Sequence, residues 1–235
     1  MTELLEALDR LLEGAVVTIE VTVGGALLAA VVAFAAGLAS LSRNRLLRGV
    51  NRVFIEFFRG TSLLVQLFWW FYVLPILGFQ LEPIGAGIVA LGLNYGAYGA
   101  EVVRGAILAI PRTQYEATVA LSMMPFQRMW LVTLPQAIVG MIPPFTNLLV
   151  QLLKGSALVS LITLVDITRA ARQFREETGE TVLAFGLALV IYFVLAQLII
   201  FVMRLWERRA KRRVGETLPP LFGTQVDQTS EAVVR

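Results

Sequence analysis

Few side chains in this sequence could do chemistry, and their types limit what that chemistry is. None of the 235 residues is Cys or His. Thiolate nucleophiles, histidine proton relays and the usual zinc ligand sets are therefore excluded. Neither lysine, Lys154 nor Lys211, follows a glycine, so the chain has no phosphate-cradling loop of the Walker A type. What remains is a sparse set of amides, hydroxyls and charges in apolar sequence. Glu101 follows Asn94 and Tyr98 at helical spacing. A carboxylate at membrane depth is costly and marks function by default. Its rival reading is an i,i+3 ion pair with Arg104. Gln66 lies just beyond Arg59, Thr61 and Ser62. Asn147, Gln151 and Lys154 recur along one helical face, with Ser156 just past them. Such groups suit the coordination of a polar solute along a path, or, as the alternative, hydrogen bonds between helices.

The elements that must hold these groups are membrane helices. The composition is 57% hydrophobic and 16% charged, and the mean hydropathy is +0.73. Those values belong to the membrane class. Charge-free runs at 21–42, 60–81, 83–100, 129–153 and 181–203 approach or exceed the roughly 20 residues that cross a bilayer as a helix. The expectation is an all-α, polytopic protein of five spans, with residues 1–213 as the membrane domain and 214–235 as a disordered polar tail. The first run lies too late for a cleaved signal and follows acidic residues rather than basic ones. Arg43, Arg45, Arg48 and Arg52 follow the first run, and Arg204, Arg208, Arg209, Lys211, Arg212 and Arg213 follow the last. The positive-inside rule then puts the N-terminus outside and the C-terminus in the cytoplasm of a bacterial inner membrane. Anionic lipid and topology account for these basic clusters without nucleic acid.

Several local features refine that outline. Pro135, Pro143 and Pro144 predict a broken fourth span, and broken backbone at membrane depth faces protein or a wet cavity. Leu161, Leu164, Ile167, Ala171 and Phe174 form a helical stripe, read as a surface helix on the external side. Gly24, Gly25 and Gly37 predict close helix contact. Between spans three and four, Thr113 and Glu116 have capping-box spacing. They predict a short helix over about 113–122, ended by Pro125.

That segment carries a resemblance. "EATVALSMMPFQRMWLVTLP" resembles the cytoplasmic EAA loop of ABC importer permeases. "FRGTSLLVQLFWWFYVLP" (58–75), "NYGAYGAEVVRGAILAIPRTQYEA" (94–117) and "LLKGSALVSLITLVDITRAA" (152–171) agree with it in order along the chain. Together, over about residues 14–206, the chain resembles the polar amino acid permeases of that superfamily. The resemblance implies a non-enzymatic subunit of the type I permease fold. It implies a periplasmic binding protein, a second permease (a copy or a paralogue) and cytoplasmic ATPase subunits that hold ATP and Mg. It implies that Glu116, Ala117, Leu121, Leu134 and Pro135, with Thr113 and Ser122, belong to a coupling helix docked on the ATPase. Ser122 stands where the family usually has glycine, and Met124 where a small residue is common. The implied cargo is a polar amino acid or a related zwitterion such as an ectoine-like solute. The rival from another class is an autonomous secondary carrier or channel.

Overall fold

The computed structural model describes residues 2–214, all helix and short connection. Helix α1 runs Thr2–Ala39, α2 Arg45–Gly60 and α3 Leu63–Phe68. A π-helical turn over Trp69–Val73 and a 3-10 turn over Leu74–Leu77 extend α3. Helix α4 is Pro83–Leu108, α5 Arg112–Ala120 and α6 Pro125–Arg128. A second π-helical turn, Met129–Thr133, leads into α7, Leu134–Gly155, and a 3-10 segment, Ser156–Ile162, follows it. Helices α8, Ile167–Thr178, and α9, Thr181–Val214, complete the chain. The expected tail lies outside the described residues.

Among the described residues, Glu6–Ala39, Pro125–Ile162 and Thr181–Arg212 are long and apolar enough to cross a membrane. A further span results if Arg45–Gly60 and Leu63–Leu77 count as one element, bent by 102°. The uninterrupted 60–81 span expected from sequence is therefore corrected. Thr61 and Ser62 divide it, both extended, at the end of an amphipathic helix. Helix α4 falls short in apolarity because it is the inner helix of the bundle. Its Gly87, Gly92, Gly96 and Gly99 are buried against neighbours and trade hydrophobic bulk for proximity.

Helices α1 and α4 run parallel in contact along most of their shared length, from Val21 beside Gly87 to Gly37 beside Val103. The expected close contacts at Gly24, Gly25 and Gly37 all face α4. A Cβ on Gly37 would stand 2.7 Å from the Val103 Cβ, and one on Gly96 2.6 Å from the Val32 Cβ. Without a hydrophobic drive between helices in lipid, such backbone proximity supplies the packing energy. Val21, Leu67, Ala86, Ala90, Leu91 and Leu152 form one core cluster; Ala33, Val103, Leu134 and Met141 form another.

Two further expectations change. Helix α7 continues through Pro143 and Pro144 instead of breaking there. Membrane helices tolerate proline when neighbours fix the backbone, and Val139, Met141 and Ile142 beside the pair are buried. The irregular turns lie before and after α7. The 161–174 stripe is also interrupted. Leu161 belongs to the 3-10 segment, Thr163 reverses the chain with φ of 78°, and α8 starts after Asp166. Asp166 caps α8 by accepting from Arg169 N at 2.9 Å. Ile167, Ala171 and Phe174 then bury against Ala7, Leu11 and Ala184.

Candidate functional site

Two constellations come from the polar residues. The first is the corner formed by α5 and α6. Helix α5 begins after Pro111, whose side chain offers no cap. Thr113 therefore lies within the first turn and does not cap, which corrects the expected capping box. Proline's fixed φ suits a helix start and sets this boundary earlier than the Thr–Glu spacing suggests. Pro125 does not end α5 either; it opens α6. Helix α5 ends because Ser122 is left-handed, with φ of 53°. Its N–H donates to Val119 O at 2.8 Å and that of Met123 to Thr118 O at 3.0 Å, closing the last turn.

The corner is tied to its surroundings by a few contacts. Gln136 on α7 donates through Nε2 to Gln114 Oε1 at 3.2 Å. The Arg128 guanidinium lies 4.1 Å from the centroid of the Tyr115 ring, a cation–π contact. The Met124 N–H donates to Gln127 Oε1 at 3.0 Å and caps α6. Thr118 is buried. Glu116 and Ala117 are exposed, as are Val119, Leu121, Met124 and Phe126. Leu121 is 75% and Phe126 72% exposed. A carboxylate thus stands beside an open apolar knuckle. Leu134 does not join this surface; it packs with Ala33 and Val103, and exposed Pro135 opens α7 next to it.

The second constellation surrounds the α2–α3 break. A helix end leaves carbonyls without partners. Here Phe58 O accepts from Gln66 Nε2 and from Asn94 Nδ2, each at 2.9 Å. Gln66 Nε2 also lies 2.7 Å from Thr61 Oγ1, and Asn94 Nδ2 3.3 Å from Gln66 Oε1. Tyr98 donates its hydroxyl to Arg59 O at 3.2 Å, and the Arg59 guanidinium sits 5.2 Å from the Tyr98 ring centroid. Gln66, Asn94 and Tyr98 are therefore brought together, and hydrogen bonding between elements accounts for them. Glu101 pairs with Arg104, Oε2 to Nη2 at 2.9 Å, a partly exposed i,i+3 contact.

The α7 candidates divide. Asn147, Gln151 and Lys154 are exposed along one face, and their side chains have no hydrogen bond or ion pair among the described residues. Ser156 is buried and donates to Leu153 O at 2.7 Å, so it does not share that face. Sequence reading missed Tyr95, whose hydroxyl donates to Gln151 O at 2.9 Å and joins α4 to α7. It also missed Tyr115–Arg128 and Gln114–Gln136. No periodic signal marks such long-range pairs.

Among the described residues, no cluster of His, Cys, Asp or Glu could hold a metal. The features describe a multi-pass membrane component with one exposed, tethered corner. Comparison with known proteins then fixes the family. Residues 15–213 match the binding-protein-dependent transport system inner membrane component. The chain belongs to that family, and it is the permease subunit of an importer, a transport component and not an enzyme. This removes the autonomous-carrier alternative.

Relatives agree. The chain is 48% identical over 208 residues to a probable amino-acid ABC transporter permease protein, y4tF, of Sinorhizobium fredii, covering 86% of this chain and 87% of that one. It is 34% identical over 200 residues to the L-cystine transport system permease protein TcyB of Bacillus subtilis, covering 85% and 86%. Among solved structures, an amino acid ABC transporter crystallised with histidines superposes with a TM-score of 0.79 at 31% identity, covering 86% of this chain and 94% of the other. An inward-facing MetNI methionine ABC transporter, at 23% identity and TM-score 0.75 over 86% and 96%, shares the fold.

Proposed function

We propose that this permease imports a polar amino acid or a related zwitterion, and that its α5–α6 corner receives the motion of an ATPase. The observation carrying the proposal is the pairing of exposed Glu116 with the apolar knuckle of Val119, Leu121, Met124 and Phe126. A patch of that kind on a tethered helix suits a protein partner. Gln114–Gln136 and Tyr115–Arg128 would pass its displacement to α7. Transmission requires that the corner dock differently in two states of the ATPase. The ATP and Mg belong to that partner; the solute arrives on a separate binding protein. The amino-acid permease among the relatives and the amino acid transporter crystallised with histidines support the cargo class.

The proposed topology has five crossings, with the N-terminus outside and the C-terminus cytoplasmic. Helix α4 supplies the crossing that apolarity alone does not count. Its 26 residues reach about 39 Å as a helix, more than a hydrocarbon core. A second permease, identical or paralogous, would face the exposed Asn147, Gln151 and Lys154 stripe, and the path would run between the two. This arrangement gives those unpartnered polar groups a wet surface instead of lipid.

The test is Glu116→Lys in the assembled transporter. Uptake and ligand-stimulated ATP hydrolysis should fall together while membrane insertion stays normal. Wild-type values for both would refute the docking role. Orientation is tested separately, with single cysteines at Thr2 and Gln225 and an impermeant reagent in intact cells. Labelling of both positions from one side would rule out an odd number of crossings.

A further inference from the structure

A large cavity along the described helices avoids the polar stripe of α7. It has a volume of about 760 Å³ and lies between α1, α7 and α9. On α7 its wall takes Met141, Phe145, Leu148 and Leu152. At 3.6 residues per turn, these are turned by about 120° around the helix from Asn147, Gln151 and Lys154. One helix therefore separates an apolar crevice from the proposed solute path.

Polar character is confined to the two ends of the crevice. Thr22 and Tyr95 stand at the inner end, and Arg209 at the mouth. Helix α9, which forms the outer wall, is hardly buried: only 6% of its apolar window lies inside the protein. The crevice therefore opens toward whatever surrounds the bundle. Along α9 the lining runs from Leu198 to Ala210, about 18 Å of helix. Arg209 is exposed. It sits in a basic terminal stretch with Arg204, Arg208 and Arg212, and Lys211 there is paired with Glu207 at 2.8 Å. A long apolar slot with an arginine at the interfacial end matches an amphiphile with an anionic head.

We propose that this crevice is a site for one anionic phospholipid. An acyl chain lies between α1, α7 and α9, and the phosphate group meets Arg209. The lipid fills a slot that would otherwise forfeit dispersion contacts along its whole wall. It enters from the leaflet on the side of the α9 C-terminal end. The proposal needs only that the chain spans a membrane, and stands apart from the cargo assignment.

The assembled transporter, reconstituted in vesicles of phosphatidylcholine and phosphatidylglycerol, would be extracted in mild detergent. Retained lipids would then be counted by native mass spectrometry. The wild type should keep phosphatidylglycerol in preference to phosphatidylcholine. Arg209→Gln should lower that preference roughly fivefold, the effect of one basic residue at an anionic surface. Ala30 lines the crevice and is exposed; Ala30→Trp should fill the slot and release the lipid, with the milder Ala30→Leu as a substitute if the larger residue prevents folding. Equal retention in the filled variant, or an unchanged preference in Arg209→Gln, would overturn the proposal. So would protein in the slot. The chain has no native cysteine, so Ala30→Cys crosslinked to a second permease by a short bifunctional reagent would show that a protein surface, and not lipid, covers it.

Discussion

Where α1 passes α4, side chains are reduced to hydrogen atoms so that two backbones can nearly touch. At the α5–α6 corner, large apolar side chains stand in the open. Gly37, Gly92, Gly96 and Gly99 leave no room for a Cβ beside Val103, Leu28, Val32 and Ala33. Leu121, Met124 and Phe126 are all more than two-thirds exposed. The first region is complete within one chain. The second has a surface that its own chain does not cover, held by one amide pair and one stacked arginine. The contrast teaches that stability and coupling reside in different residues, so a substitution can remove either one alone.

The strongest break in that contrast is Gly96→Leu. Overpacking costs about 1–3 kcal/mol, and here the obstruction includes the Val32 Cβ at 2.6 Å and the Ala29 carbonyl oxygen at 3.2 Å. A loss of about 3 kcal/mol is expected, read as a lower thermal midpoint and yield of folded permease. Gly105→Leu on the same helix, where nothing lies within 4 Å, should leave both unchanged.

Asn94→Ala comes next. It removes one of two side-chain donors to Phe58 O and leaves Gln66 Oε1 without that contact. About 2 kcal/mol of stability should be lost, the cost of leaving a buried polar group unpaired. If solute uptake fell while the thermal midpoint held, Asn94 would belong to the path and not to the bend.

Ser122→Gly should act in the opposite direction. A left-handed residue other than glycine costs about 1–2 kcal/mol, and Ser122 has φ of 53° with its side chain exposed. The midpoint should rise by an amount corresponding to about 1 kcal/mol. No rise would mean that the serine hydroxyl offsets the strain. Glu116→Lys should have the smallest effect on stability, within about 0.5 kcal/mol for an exposed position, although it is expected to abolish coupled uptake. A fall in midpoint as large as that of Asn94→Ala would erase the distinction between the two regions.

Legibility in the sequence followed the same division. Apolar runs identify α1, α4, α7 and α9 because long membrane helices need sustained hydrophobicity, and Gly24, Gly25 and Gly37 already point to close packing. The bend at Thr61–Ser62 was hidden, since the charge-free run begins at Gly60 and neither Thr61 nor Ser62 is a charged residue, a glycine or a proline that would mark a break. Proline misled twice. Pro143 and Pro144 are accommodated within α7 by packing, and Pro125 starts a helix instead of ending one. Ser122 was legible as a departure from glycine, and its positive φ supplies the physical reason for the glycine preference. Gln66 and Asn94 were visible as polar residues in apolar sequence, but their common target, a backbone carbonyl at a helix break, depends on tertiary placement.

That carbonyl also constrains the order of events during synthesis. Phe58 O needs its donors at the end of α2, and Gln66 leaves the ribosome soon after it. Asn94 does not exist until the next long helix is half made. During that interval the break between α2 and α3 has one carboxamide partner instead of two. The nascent chain therefore reaches its final bend by capturing α4, which makes α4 a late fastener for a turn encoded more than thirty residues earlier.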